Sequence, residues 1–404
     1  MTFNVLTLPI WALAPTFMTI SFKEWNIEPI LSHVGIHRRH LSQAPLLLEE
    51  ASMDLDEANR FMRMFYLFQG TQQEAFSLEL QKKALSIRQI FKINLNNEQE
   101  GLRVLAVMAP GDMMQNLPLD YLLERQGIEL TLMFLLPNEA LPDQYPEHDV
   151  TVFALGQSSA NAPIIEKLIA LMPHWPKPYV NHPKYIECCA RDKTFELLGG
   201  IKGLLMAQQS RQKKSKMVGV AFPCTIRPVD SHAGEKFEKL WDQKSLDDYL
   251  SRSDDEEFYV STYLDYQSPD GMFRKFRVAL IQGVPYVSHL AISSNWVVSY
   301  LSAEMYKSQD KRREEAQFMR DFRIQIAQTF KDQFEAVYRK IPFDYLVLDC
   351  AVSKSGQLIV FEVDNSAWVH NTDAQELFPY KNEHMVKLMA DFSKMLHSKT
   401  VSTD

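Results

Sequence analysis

The stretch FDYLVLDCAVSKSGQLIVFEVDNSAWVHNTD, Phe343–Asp373, holds two apolar runs separated by the polar turn Lys354–Gly356. Apolar runs of this length flanking a short turn with glycine fold as an antiparallel hairpin. Asp349 lies near the end of the first run, and Glu362 and Asp364 near the end of the second. Carboxylates on paired strands can form a hard oxygen site, suited to Mg²⁺ ions that take few protein ligands and keep water and phosphate bound. The same pattern also suits a plain hairpin with solvated acids at its ends.

The chain of 404 residues is long enough for two or three domains. With 46% hydrophobic and 23% charged residues it has the balance of an ordinary globular protein. A net charge of −8 argues against broad binding to nucleic acid or an anionic membrane. Cys188, Cys189, Cys224 and Cys350 show neither metal-ligand spacing nor the density of a disulfide scaffold, so reduced and mostly buried thiols in a cytoplasmic protein are expected. Met1–Ile20 is apolar but lacks a basic start and contains Pro9 and Pro15, which fits a strand or docking segment better than a leader or membrane span.

Helical periodicity runs from about Pro45 to Leu95, and a break at Gly70-Thr71 makes it a helical hairpin. From Leu102 the character changes. The apolar runs LRVLAVM, ELTLMFLL and DVTVFALG alternate with helical stretches, which implies a parallel α/β layer. The turn Ala109-Pro110-Gly111 is only a weak phosphate-loop candidate, since it has one glycine and no lysine. The proline-rich segment Pro173–Pro183 marks a domain boundary. Beyond it come a helix over Glu187–Leu198, a basic loop over Gln208–Lys216 and a strand over Val218–Arg227. Strands over Phe258–Leu264, Phe276–Ile281 and Pro285–Ser288 follow, then a long amphipathic helix over about Lys311–Arg339 and a last helix near Asn382–Leu396.

Four features line up along the second half: Arg191-Asp192-Lys193 at a helix start, Arg227 at a strand end running into the Ser231–Gly234 turn, the strands FYVSTYLDY and FRKFRVALIQGVPYVSHLAIS, and the carboxylate hairpin. Basic side chains and a turn of small residues can cradle a triphosphate, with backbone N–H groups approaching its oxygens. Alternation along a strand places Lys275 and Arg277 on one face.

This order and spacing resembles the ATP-grasp superfamily, which includes D-alanine–D-alanine ligase, glutathione synthetase and the ribosomal-protein glutamate ligases. The strings RVLAVMAPGD, RPVDSHAG, FRKFRVALIQG, and LDCA followed by FEVD are similar to those of ATP-grasp proteins with helical N-terminal regions. The resemblance spans about Gly101–Leu396 and implies an α/β ATP-grasp fold preceded by a Rossmann-like domain. It implies a helical region over 1–100, a pre-ATP-grasp domain over 101–183, an ATP-grasp domain over 184–396 and a tail over 397–404. Within the ATP-grasp domain, a small nucleotide lid covers about 187–262 and a larger metal-carrying lobe about 263–396.

By position, the resemblance implies phosphate contacts from Lys193 and Arg227, the latter replacing a more usual lysine. Ser231, His232 and Gly234 match the loop over the phosphates, here with a single glycine. Ser261, Thr262 and Tyr263 match the hinge that holds adenine, and Asp265 the group on the ribose. Arg277 matches the arginine at the transferred phosphate. Lys193, Arg227 and Arg277 are thus the expected catalytic set. Asp349, Glu362 and Asp364 match the ligands of Mg²⁺ or Mn²⁺, with Asp364 in place of the usual asparagine. Arg274, Lys275, His289, Asn295, Trp296 and His370 are candidates for an acceptor pocket, although a lone histidine more often makes a structural hydrogen bond.

The implied activity is that of an ATP-dependent ligase, which activates a carboxylate as an acyl-phosphate for attack by an amine or similar nucleophile. A nucleotide-binding scaffold with little turnover, or an ATP-grasp phosphotransferase, are the alternatives. The expected partners are a small carboxylate and an amine or peptide, without nucleic acid or membrane. A homodimer, and a protein docking on the helical N-terminal region, are both compatible with the sequence.

Overall fold

The computed structural model describes residues 18–20, 28–32, 34, 44–69, 73–95, 101–142, 144–231 and 234–401. Its architecture is mixed α/β: a six-stranded sheet, a four-stranded sheet and a five-stranded sheet, with helices packed on and between them. Among the described residues no helix is long and apolar enough to cross a membrane.

The helical pattern expected over about Pro45–Leu95 is cut more finely. Helices cover Ala44–Ser52, Glu57–Phe68 and Glu74–Ile87. The additional break falls at Asp54 and Asp56, whose carboxylates take backbone N–H groups locally, Asp56 capping the second helix through Asn59 N at 3.0 Å. Such local acceptors compete with helix continuation. Ala58, Met62 and Phe65 form the buried stripe of that helix and face Leu80, Ala84 and Leu85 of the next. The expected stop at Gly70-Thr71 lies outside the described residues. The tail of this region is a correction: Ile90–Asn94 is a strand, not helix, and pairs antiparallel with Ile128–Phe134. The burial of Phe91 against the sheet outweighs a weak helical periodicity.

The six-stranded sheet runs in the order Ile30–Leu31, Ile90–Asn94, Ile128–Phe134, Leu102–Met108, Val150–Phe153, Tyr179–Val180. All its pairings are parallel except that of Ile90–Asn94 with Ile128–Phe134. Val104 and Ala106 enter one core while Leu105 and Val107 enter another. A sheet covered on both faces explains why LRVLAVM is continuously apolar.

The four-stranded antiparallel sheet has the order Gln209–Lys213, Glu257–Thr262, Cys224–Pro228, Glu238–Leu240, and a small core of its own around Ile226, Leu246 and Phe258. The basic stretch expected as a loop is therefore an edge strand. Its charges suit that place, because Arg211 pairs with Glu257 across the ladder and charged edges resist further pairing. The neighbouring strand is shorter than expected and begins at Cys224.

The five-stranded sheet has the order Val284–Ser293, Phe273–Ile281, Tyr345–Val352, Leu358–Asp364, Leu204–Leu205, and it contains the expected carboxylate hairpin. Its other hairpin turns on Gln282 and Gly283, with φ of 48° and 82°, the two positive angles of a type I′ turn. A Cβ on Gly283 would come within 2.8 Å of the Tyr338 ring. Gly283→Ala should destabilise the protein by about 1–3 kcal/mol, through positive φ and this clash, read as a shift of the urea midpoint.

The long helix expected over Lys311–Arg339 is three segments: Gln309–Phe322, a π-helical stretch at Arg323–Gln328, and Lys331–Lys340. The last helix, Lys381–Val401, locks the sheets together. Its Leu388, Phe392 and Leu396 share one core with Tyr345 and Val347 of the five-stranded sheet and with Val150 and Val152 of the six-stranded sheet. The proline-rich connector is stitched to the same place, since the Asn181 amide exchanges two 2.9 Å hydrogen bonds with the backbone of Tyr345. All four cysteines are free, and three are buried.

Candidate functional site

The centre of the site is Asp349. Arg277 is its partner in the antiparallel register, and a bulge follows each of the two residues. Bulges re-aim side chains. Lys275 and Arg277 share a face, as alternation requires, and both reach Asp349. Lys275 Nζ donates to Oδ2 at 2.9 Å, Arg277 Nε to Oδ1 at 2.8 Å and Arg277 Nη2 to Oδ2 at 3.2 Å. The third arm of the fork, Nη1, donates to the carbonyl of Trp368 at 2.8 Å. The Asp349 side chain is 6% exposed. Burial alone would raise its pKa, but Arg277 and Lys275 outweigh this and hold it well below the usual carboxylate range.

The hairpin places Glu362 opposite Asp349 in the strand register, with Asp364 two residues on. Arg191 Nη2 donates to Glu362 Oε1 at 2.5 Å. Burial raises the Glu362 carboxyl, and Arg191 brings it back below its ordinary value. Asp364 accepts from the Ser366 amide and hydroxyl at 2.7 and 2.8 Å. Burial and the neighbouring Glu362 push its pKa up. The three carboxylates are thus brought together, but each is already engaged by protein donors. Among the described residues no group of three or more Asp, Glu, His or Cys side chains is placed to hold a metal ion. As it stands, this donor set does not fit a resident divalent ion, because the Asp349 oxygens face an ammonium and a guanidinium.

Arg227 joins the cluster from the four-stranded sheet. It is buried, donates to the Ser231 hydroxyl at 2.9 Å and to the Ser231 carbonyl, and lies over the Phe237 ring at 5.4 Å. Burial and the charge of Arg191 lower its pKa to about 10, which leaves it protonated at neutral pH. Ser231 is itself fixed to the Pro228 carbonyl at 2.8 Å, and Gly234 has a φ of 84°. His232 lies outside the described residues.

A cleft of about 820 Å³ opens between the four-stranded and the five-stranded sheets, walled by Lys239, Trp241 and Tyr263 on one side and by Phe273, Asn295 and Trp296 on the other. Lys239 Nζ sits 3.3 Å from the Tyr263 ring centre and 4.0 Å from that of Trp241. Trp296 packs on Phe237 at 5.1 Å, so the aromatic wall continues to Arg227. Asp265 lies on the rim, paired with Lys354 at 2.7 Å.

The expected residues divide accordingly. Tyr263, Asp265, Asn295 and Trp296 line or border the cleft, but the backbone donors expected for adenine are already used. Ser261 pairs with strands on both sides, the Thr262 amide donates to Gln208 and the Tyr263 amide to Pro223. Lys193 is not brought to the cluster: it is 47% exposed and pairs with Glu196 at 2.9 Å. Two residues along a helix turn about 200°, so Arg191 and Lys193 face opposite ways, and Arg191 faces the strand. That spacing was the signal by which Arg191 could have been chosen. Arg274 points to the other face of its strand, where it pairs with Asp270 and Glu314. His289 is the cross-strand partner of Arg277 and packs on Tyr300 at 4.6 Å. Burial, then Arg277 and Lys381, keep its pKa well below the usual value. His370 contacts the Thr372 hydroxyl at 2.9 Å and the rings of Tyr121 and Trp368.

Among solved structures, the chain is similar to D-alanine–D-alanine ligase from Bacillus anthracis complexed with ATP, at 13% identity and a TM-score of 0.44, over 74% of this chain and 98% of that one. It is also similar to a RimK domain ATP-grasp protein from Sphaerobacter thermophilus, at 12% identity and a TM-score of 0.42, over 73% of this chain and 99% of that one. No family model matches the chain, and no curated protein matches it.

Proposed function

We propose that this protein binds ATP in the cleft and uses it to activate a small carboxylate as an acyl-phosphate for attack by an amine, as an ATP-dependent ligase. The observation that carries the reading is the gathering of Arg191, Arg227, Lys275 and Arg277 from separate elements around Asp349 and Glu362, with Arg227 joined to the aromatic cleft through Phe237 and Trp296. The Tyr263 and Trp296 rings would hold the base, with Asp265 at the ribose. The cationic end would receive the phosphates, where arginine forks match phosphate oxygens in pairs.

Chemistry of this kind asks the protein for position and charge neutralisation rather than for covalent catalysis. In the proposed step a substrate carboxylate oxygen attacks the γ-phosphorus and the bond to the bridging oxygen breaks, leaving ADP. Arg277 and Lys275 would offset the charge on the transferred group. The amine then attacks the acyl carbon and phosphate leaves. Closing the two sheets over the cleft would keep water from the acyl-phosphate.

A second reading, binding without turnover, is favoured by the outward position of Lys193. Calorimetry with ATP, followed by assay of ADP release against mixed acids and amines, separates the two. Binding lost in Arg227→Ala, with ADP release that needs both an acid and an amine, is the expected result. Binding without ADP release under any mixture would establish the scaffold reading, and a stable phosphorylated product a phosphotransferase.

A further inference from the structure

Three acids on a hairpin invite a metal, yet the strongest anomaly of the site is what already occupies Asp349. Three donors from two side chains reach its two oxygens, all within 3.2 Å. A carboxylate has about four lone-pair directions, so little of this one is left for a cation. The charge balance points the same way. Lys275, Arg277, Arg191 and Arg227 bring four positive charges to the three carboxylates Asp349, Glu362 and Asp364. The pocket is therefore cationic before any ion enters.

We infer that the Lys275 ammonium and the Arg277 guanidinium stand in for divalent ions beside Asp349, so that this site binds a polyphosphate anion without a metal. The inference rests on the nucleotide reading above and deepens it. A Mg²⁺ ion on Asp349 Oδ2 would lie about 2.1 Å from that oxygen. With Lys275 Nζ 2.9 Å from the same atom, the dication and the ammonium would be no more than about 5 Å apart. At that separation in a buried site their repulsion opposes metal entry. A polyphosphate has the opposite preference. Its oxygens can take the remaining hydrogens of Lys275 and of the arginines, while Asp349 holds the two cations in place.

The test is a pair of titrations of the whole chain with ATP, one in EDTA and one in excess Mg²⁺, followed by calorimetry and by intrinsic tryptophan fluorescence. The expected result is a pair of dissociation constants within about threefold of each other, and no heat from Mg²⁺ alone. Lys275→Met should weaken binding in EDTA by about tenfold or more and make added Mg²⁺ restore it. Lys275→Arg, which keeps the positive charge, should bind ATP in EDTA more tightly than Lys275→Met. ATP binding that requires Mg²⁺ in the wild-type protein would overturn the inference and leave the nucleotide reading standing. So would unchanged binding of Lys275→Met in EDTA. Absence of ATP binding in both buffers would remove the nucleotide reading and this inference together. The wild-type pair of titrations decides the matter even if Lys275→Met melts early.

Discussion

Replacing Lys381 with methionine should cost about 3–5 kcal/mol of stability, the range for breaking a buried ion pair by removing one partner. The Lys381 side chain is 5% exposed and that of Glu315 is fully buried. Lys381 Nζ lies 2.7 Å from Asp373 and 3.4 Å from Glu315, and it also donates to the Tyr300 hydroxyl. Glu315 accepts in addition from the Leu290 amide at 3.0 Å, from Tyr300 at 3.0 Å and from Tyr380 at 2.7 Å. Removing the ammonium leaves the Glu315 carboxylate buried without this counter-charge and takes one donor from Asp373 and one from the Tyr300 hydroxyl, at the join of the Gln309–Phe322 helix, the Lys381–Val401 helix and the sheet edge. Urea denaturation reads the loss, and a change below about 1 kcal/mol would show that the network is not a unit. Adding Glu315→Gln to Lys381→Met should recover part of the loss, because the uncompensated charge is then gone. The network also backs the candidate site, since the Tyr300 ring packs on His289, which pairs across the strand with Arg277.

The second large effect is expected at Arg277. Each nitrogen of its fork already donates once, Nε and Nη2 to Asp349 and Nη1 to the Trp368 carbonyl. The Trp368 indole in turn donates to the Met113 carbonyl at 3.0 Å, which ties the five-stranded sheet to the loop after the Leu102–Met108 strand. Arg277→Lys keeps the charge but cannot span these acceptors. ADP release by this variant should fall about 10²–10³-fold, the usual consequence of losing one placed donor to a developing charge, while the thermal transition stays cooperative. Wild-type turnover in a folded Arg277→Lys protein would remove Arg277 from the phosphate contacts. Unchanged ATP affinity with lost turnover would place its role in the chemical step rather than in binding.

Much of this was legible in the residues. Two apolar runs around Lys354–Gly356 could pair only as a hairpin, which put Asp349 across from Glu362. Strand alternation put Lys275 and Arg277 together, while Arg274, read as a pocket candidate with them, lies on the other face. Strands alternating with helices from Leu102 specified the parallel layer. These are short-range consequences of a two-residue or 3.6-residue period, and a sequence carries them directly. The break of the Lys311–Arg339 pattern at a π-helical stretch and the strand at Gln209–Lys213 were not legible, because neighbouring elements compensate weak local preference with packing and ladder hydrogen bonds.

The chemistry of the site lies mostly on the other side of that line. The sequence by itself determined which acids and which bases stand near the ends of the strands. Only the tertiary structure decided that Asp349 spends its oxygens on Lys275 and Arg277, and that Arg191 rather than Lys193 meets Glu362, 171 residues away in the chain. Charges attract over distances set by folding rather than by spacing, so an acid's partner is fixed by whichever cation the packed core delivers to it.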